Sequence, residues 1–289
     1  MKPISVVIAA RDAESTIREQ LRALTTQQWP AGGEIIVADN GSTDNTRAIV
    51  LEVALRRGSD ADVSIRLVDC ASQTGAAFAR NEGVRASRYP KIGFCDADDI
   101  VAPGWVRALT LELEKYPVVG GRLELDRLNA PELVHSRGAG LGADALPRFD
   151  DQFPVVSSCN LGIQRNTFSS VGGFDEQYVR GQDAELSLRL HEAGIHPHFT
   201  PSAVVHYRLR DTMPGLFRQA HGWGEVNDDL RERIGRRPSI PSSMRSWLWL
   251  GVHLHHLVDP NRRARWVYVA GLRTGLARNA LRRYVSRLR

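Results

Sequence analysis

A parallel α/β sheet with helices packed on both faces is the fold class that this sequence predicts, and three observations predict it. Short β-branched runs recur through the first hundred residues. Segments with apolar residues at helical spacing separate them, and those segments are ten or more residues long. Residues 4–10 (Ile-Ser-Val-Val-Ile-Ala-Ala) form the first strand. Ser15 caps a helix reaching about Thr26, with Ile17, Leu21 and Leu24 on one face. Residues 34–39 make a second strand, and Asp44 caps a helix whose Ile49, Val50, Val53 and Ala54 turn inward. Residues 63–69 are a third strand, 75–87 a third helix and 91–95 a fourth strand.

Beyond Pro103, which suits a first helical turn, a helix runs to Tyr116 and Pro117. Strand-like residues follow at 118–125, then a Gly-, Pro- and Asp-rich stretch at 129–154 that reads as a mobile loop. Residues 158–165 are strand-like, Gly172-Gly173-Phe174-Asp175 is a turn, 183–193 a helix and 198–207 a strand around Pro201. From Asp211 onward the pattern is helical, interrupted by a linker at 236–241.

Hydrophobic residues make up 42% and charged residues 25%, which excludes a disordered chain, a collagen-like repeat and a bundle of membrane spans. The three cysteines, Cys70, Cys95 and Cys159, are scattered and form no CxxC, so a disulfide framework or a zinc knuckle is not expected. No leader is visible after Met1, and the apolar stretch 247–258 contains three histidines and is too short to span a bilayer. The expectation is a soluble, cytoplasmic-type protein. The net charge of +5 hides an asymmetry. Residues 261–289 carry nine arginines and no acid, so that +9 within a total of +5 leaves −4 on the first 260 residues. A mildly acidic body argues against a nucleic-acid coat, which spreads its basic surface over the folded domain.

Chemistry gathers at the strand ends, where open α/β sheets bind ligands. No GxGxxG follows the first strand and no GxxxxGK[ST] occurs, so a dinucleotide site and a P-loop are disfavoured. Acidic residues stand there instead: Asp39 ends the second strand, and Asp96-Ala97-Asp98-Asp99 follows the fourth. Three carboxylates within four residues either attract Mg²⁺ or Mn²⁺ together with phosphate oxygens, or cap the next helix from a solvated loop.

The segments 37–46, 79–83, 94–99, 172–176 and 181–189, in that order along the chain, resemble those of the family 2 glycosyltransferases. The stretch 37–46, with Asp39 and Ser42-Thr43-Asp44, is similar to their first acidic motif, and Phe94-Cys95-Asp96-Ala97-Asp98-Asp99 to their DxD element. Ala79-Arg80-Asn81-Glu82-Gly83, Gly172-Gly173-Phe174-Asp175-Glu176 and the segment 181–189 resemble three further motifs, and the resemblance covers roughly residues 4–210. The resemblance implies a GT-A type, Rossmann-like mixed sheet with helices on both faces, plus a C-terminal helical extension. It divides the chain into a nucleotide-sugar-binding half at 1–117, an acceptor-binding half with the catalytic base at 118–210, and an Arg-rich helical extension at 211–289. It implies a donor site at Ala10, Arg11, Glu14, Asp39, Arg80, Asp96 and Asp98, and a Mn²⁺ or Mg²⁺ ligated by Asp98 and His206. It also implies Asp183 as general base, with Glu185 as the alternative, and transfer from a nucleotide diphosphate-sugar to an acceptor hydroxyl with inversion. Asp39 and Asp183 also suit helix caps or helix starts, and Asn81 a structural role. Gln182 departs from the family pattern, which has Glu there. Trp223 resembles the tryptophan of processive synthases and reads as a helical acceptor-site or core residue.

Two rivals stay open: a nucleotidyltransferase, and a non-catalytic nucleotide-sugar-binding module. The acceptor is expected to be a hydroxyl on a glycan, a lipid-linked glycan or a natural product. In the tail, Val269, Leu272, Leu276, Ala280, Tyr284 and Leu288 recur at helical spacing among the arginines, and Trp247, Trp249, Trp266 and Tyr268 add aromatics. That suits a peripheral helix on an anionic membrane, at the inner face of the cell membrane, or packing on the body or on a partner subunit.

Overall fold

The structure is a computed structural model and describes residues 2–29, 32–57, 63–137, 141, 143–236 and 240–287. Two compact units appear: Met1–Glu124 with Gly140–Arg208, and Leu125–Ala139 with Leu209–Arg289. The strands of the halves expected at 1–117 and 118–210 share one sheet in the first unit, while residues 125–139 and 209–210 of the second half fall with 211–289 in the second unit.

In the first unit, β1 (Ile4–Ala10), β2 (Gly33–Asp39), β3 (Val63–Asp69) and β4 (Lys91–Asp96) alternate with α1 (Ile17–Thr25), α2 (Thr46–Arg57) and α3 (Ala76–Ala86). Then come β5 (Ile100–Val101), α4 (Trp105–Glu112), β6 (Val118–Glu124), α5 (Pro131–Arg137, which belongs to the second unit), a ribbon of β7 (Arg148–Phe149) and β8 (Phe153–Pro154), β9 (Asn160–Gln164), α6 (Arg165–Ser170), α7 (Gln182–Glu192) and β10 (His198–His206). Eight strands form one mixed sheet in the order β3-β2-β1-β4-β9-β6-β10-β5. The period of two along β1 sorts its side chains into two cores. Ile4, Val6 and Ile8 join Leu21, Leu24, Val50, Trp105 and Leu109 on one face, while Val7 joins Val84, Phe94, Phe168, Phe174 and Leu186 on the other. Both faces are therefore covered, as continuous apolar strands require.

Strands β1, β2, β3, β4, β6 and β10 run one way; β9 and β5 run against them. The C-terminal residues Ala10, Asp39, Asp69, Asp96, Glu124 and His206 thus stand along one sheet edge. The N-terminal ends of β9 and β5 reach the same edge, bringing Cys159 and Ile100 beside them.

Several local expectations change. Ser15 does not cap α1; Thr16 is the N-cap residue and makes no side-chain cap bond. Asp44 stands one residue before the N-cap position of α2, which Asn45 occupies, and its Oδ1 accepts from Thr46 N at 2.9 Å. The stretch 129–154 is structured in part, with helix α5 (Pro131–Arg137) and the ribbon of β7 (Arg148–Phe149) and β8 (Phe153–Pro154); residues 138–140 and 142 lie outside the described residues. The two-residue β5 went unpredicted because it is too short to show periodicity.

The second unit holds α5, α8 (Met213–Arg233), α9 (Ile240–Val252), a 3-10 turn (Leu254–Val258) and α10 (Pro260–Arg287). Of the linker expected at 236–241, residues 237–239 lie outside the described residues. α8 and α10 pack closely because glycines line the seam: a Cβ on Gly275 would overlap the His221 carbonyl, and one on Gly224 the Leu272 carbonyl. His221 Nδ1 meets Thr274 Oγ1 at 3.1 Å, and Trp223 packs edge-on against Tyr268 with ring centres 6.3 Å apart. Along α10, Val269, Leu272 and Leu276 are half-buried, Ala280 and Tyr284 exposed, and Leu288 lies outside the described residues. No helix among the described residues is long and apolar enough to cross a membrane.

Candidate active site

Two loops at the β1 and β2 ends are stitched together. Asp12, at φ 48°, accepts from Thr43 N at 2.8 Å, and its own N–H donates to Ser42 Oγ at 3.0 Å. Glu14 Oε2 accepts from Asn45 N at 3.0 Å and from Asn45 Nδ2 at 2.9 Å, while Ala13 N donates to Thr46 Oγ1 at 2.7 Å. Through these bonds Glu14 helps to shape the loop. Ala10 closes the strand, its carbonyl accepting from Asn40 N at 2.8 Å, and Arg11 is exposed. Beneath them Asp39 is fully buried. Its Oδ2 accepts from Arg47 Nη1 at 2.8 Å, and its Oδ1 is buried with no hydrogen-bond partner. An orphaned carboxylate oxygen at this depth is costly unless something donates to it. A nucleobase N–H or a ribose hydroxyl has the required chemistry.

Sequence reasoning missed two residues that hold the loops around Asp39. Arg47 bridges Asp39 and, at 3.3 Å, Asp69. Asn40 donates to the carbonyls of Cys70 and Gln73, both at 2.7 Å, and accepts from Gly75 N at 2.7 Å. Their signal is faint, because each acts between segments about thirty residues apart.

A buried arginine organises the next group. Arg80 Nη2 donates to Asp96 Oδ1 at 2.6 Å and Nη1 to Gln182 Oε1 at 2.9 Å, its guanidinium lies 5.6 Å from the Phe174 ring centre, and Nε is buried without a partner. Burial works against its charge, but Asp96 and then Asp183 outweigh that, and its pKa is raised. Asp183 occupies the first turn of α7, behind Gly181, whose φ of 67° suits a residue without a side chain. Burial raises the Asp183 pKa, opposed by Arg80 and by the backbone N–H groups of Ala184 and Ser158.

Glu185, the alternative base, has another task. Buried to 1% exposure, it grips Arg189, whose Nη2 donates to Oε2 at 2.6 Å and also to Gly173 O at 2.7 Å. Arg189 Nη1 also donates to Val171 O. This clamp seats the Gly172-Gly173 turn on α7. Asn81 holds the same turn from the other side, accepting from Phe174 N at 3.0 Å and donating to Phe174 O at 2.8 Å.

At the third group, β5 pairs with β10 so that Ile100 lies opposite His206, two residues past Asp98. His206 Nδ1 meets Glu124 Oε2 at 2.5 Å. A carboxylate accepting from Nδ1–H leaves the lone pair on Nε2, the usual way a metal-binding imidazole is oriented. Arg208 N donates to Asp99 Oδ1 at 2.7 Å, and Arg208 Nε to the Asp98 carbonyl at 2.8 Å. Asp99 is 1% exposed and its Oδ2 is buried without a partner; burial, then Asp96 and Asp98, push its pKa well up. Among the described residues, Asp96, Asp99 and Cys159 are the three whose ligand atoms come within 4.8 Å of one another; Asp98 and His206 are not in that group. Burial and then Asp99 and Asp96 hold the Cys159 thiol well above its ordinary pKa. The edge therefore offers carboxylates, an imidazole and an unsatisfied buried oxygen, a donor set that fits a hard divalent cation.

Comparison with known proteins decides the family. Residues 5–171 match the model of Glycosyl transferase family 2. The chain belongs to that family. Glycosyltransferase AglE of Haloferax volcanii is 24% identical over 263 residues, covering 86% of this chain and 80% of its own length. The probable glycosyltransferase YdaM of Bacillus subtilis is 26% identical over 78% of this chain, which spans only 55% of that relative. Among solved structures, mannosyltransferase PcManGT of Pyrobaculum calidifontis, in complex with GDP-Man and Mn²⁺, aligns with a TM-score of 0.67. It is 17% identical and covers 96% of this chain and 86% of its own. Glucosyl-3-phosphoglycerate synthase of Mycobacterium tuberculosis, with Mn²⁺, UDP and phosphoglyceric acid, aligns at 0.57, is 20% identical and covers 82% and 80%. The shared architecture is the GT-A fold of glycosyltransferases. Membership of family 2 makes the chain an enzyme of glycosyl transfer.

Proposed function

We propose that this chain moves a sugar from a nucleotide diphosphate-sugar to an acceptor hydroxyl, with inversion at the anomeric carbon and with metal assistance. One observation carries the reading: Asp183, a buried carboxylate with a raised pKa, directly follows Gln182, which accepts from the same arginine that grips Asp96 of the acidic strand end. Asp39, with its unsatisfied buried oxygen at the end of β2, supports a nucleoside there. The solved neighbours carrying GDP-Man or UDP support the donor class.

A Mn²⁺ or Mg²⁺ ion held by Asp98 and by Nε2 of His206 would supply positive charge to the departing diphosphate. The rest falls to the chain. Arg80 keeps its charge despite burial and faces the same developing anion. Asp183 accepts the proton of the acceptor hydroxyl as that oxygen attacks the anomeric carbon and the bond to the diphosphate breaks. Attack from the face opposite the leaving group inverts the centre. Arg80 also tempers Asp183, keeping its pKa from rising as far as burial alone would drive it. The acceptor belongs to a glycan, a lipid-linked glycan or a natural product. The Arg-rich α10 suits a cytoplasmic protein held peripherally at the inner face of the membrane.

A thermal-shift panel of UDP-, dTDP- and GDP-sugars with and without Mn²⁺ tests the donor class, followed by nuclear magnetic resonance of the product's anomeric configuration. Stabilisation by one nucleotide-sugar and an inverted product are expected. Retention of configuration, or no response to any donor, would reject the reading.

A further inference from the structure

Helix α9 is built inside out. Met244, Trp247, Leu248 and Val252 fall at helical spacing on one face, and that face is exposed, Leu248 by 67% and Val252 by 63%. The ridge continues through the 3-10 turn with Leu254, Leu257 and Val258, the last 85% exposed. The opposite side turns inward: Leu250 is buried, its carbonyl accepts from Trp266 Nε1 at 3.0 Å, and His256 is buried beside Trp249. Half of the large exposed hydrophobics among the described residues lie between 244 and 258. Such concentration marks a surface that meets something apolar.

Charge selects the occupant. Arg245 stands exposed within the ridge, and Arg262, Arg263 and Arg265 are exposed at its end. The Arg265 guanidinium lies 5.6 Å from the Trp249 ring centre, which seats the start of α10 against α9. Asp259 is the one acid between residues 236 and 289. Apolar side chains that project outward within a cationic rim match the boundary of an anionic bilayer, where acyl chains lie beneath negatively charged headgroups. An acidic protein surface would match the rim but not the ridge.

We infer that the ridge of α9 and the following turn inserts into the interface of an anionic membrane, with the arginines at the start of α10 holding the headgroups. This rests on the peripheral location proposed above and assigns the contact to α9 and the turn, with the arginine-rich helix itself in a supporting role.

The experiment uses the full chain and vesicles of phosphatidylcholine with phosphatidylglycerol. The parent should sediment with these vesicles, and brominated acyl chains should quench its tryptophan emission. Trp247→Phe should remove most of that quenching while sedimentation persists. The combined variant Leu248→Ser, Val252→Ser, Val258→Ser should bind at least about tenfold more weakly, even at high salt, with its thermal transition kept, because these side chains are exposed. Arg262→Gln with Arg263→Gln should weaken binding chiefly at low salt. A parent that ignores the vesicles would reject the peripheral location itself. Binding that the serine variant retains in full, without quenching at Trp247, would reject only the ridge. A lipid-free dimer that the serine substitutions dissociate would assign the ridge to a second copy and overturn the inference.

Discussion

Asp183 has Arg80 as its principal neighbouring cation, and burial raises its carboxyl above the ordinary 3.8. A base must be deprotonated to act, so a raised pKa keeps it inactive to higher pH and activity rises through a value above that of a free aspartate. The acidic limb of the rate profile should therefore lie above the usual aspartate range. Asp183→Asn should lower transfer by about two to four orders of magnitude and remove that limb, with nucleotide-sugar affinity within a few-fold of the parent. Single-turnover kinetics and equilibrium binding check this, and an active Asn variant would place the base elsewhere. Gln182 gives a second handle, since it meets Arg80 through a neutral oxygen. Gln182→Glu adds a negative charge beside Asp183, which disfavours its ionised form, and should move the acidic limb to higher pH. A limb that stays in place would show that Arg80 absorbs the added charge.

At the level of elements, motifs that look catalytic in sequence divide into those that react and those that hold. Glu185 and Arg189 lie one turn apart on α7 and fasten the Gly172-Gly173 turn, with Asn81 of α3 on its other side. Glu185→Gln leaves Arg189 without its buried countercharge and should cost about 3 kcal/mol, visible as a thermal transition several degrees lower. An unchanged transition would mean that the turn needs no clamp. The α8–α10 pair depends on missing side chains instead. Gly275→Ala would press a methyl group into the His221 carbonyl, so calorimetry should show the second unit destabilised by about 1–3 kcal/mol.

Across the whole molecule, one sheet edge collects donors from strands that are far apart in the chain. If Asp98 and His206 share a cation with the diphosphate, Mn²⁺ should tighten nucleotide diphosphate binding, and Asp98→Asn should abolish that gain. Titration calorimetry before and after chelation checks it, and equal affinities would reject the shared cation. Most of this architecture is legible in the residues themselves. Buried β-branched runs, helical spacing between them and acids at strand ends are local patterns, and they alone indicate an α/β sheet with its site at the carboxyl ends. The basic tail and its aromatics are equally plain. Tertiary structure decided the rest because it depends on which distant segments meet. Glu14 and Glu185 offer the same carboxylate as Asp39 and Asp183, yet only the fold shows that Glu14 bonds Asn45 across two loops and that Glu185 grips Arg189. Cys159 approaches Asp96 and Asp99 only because β9 runs antiparallel and starts where β4 ends. The exposure of α9 was hidden for the same reason: an apolar stripe at helical spacing reads identically whether it faces a core or the solvent, and only packing chooses the side.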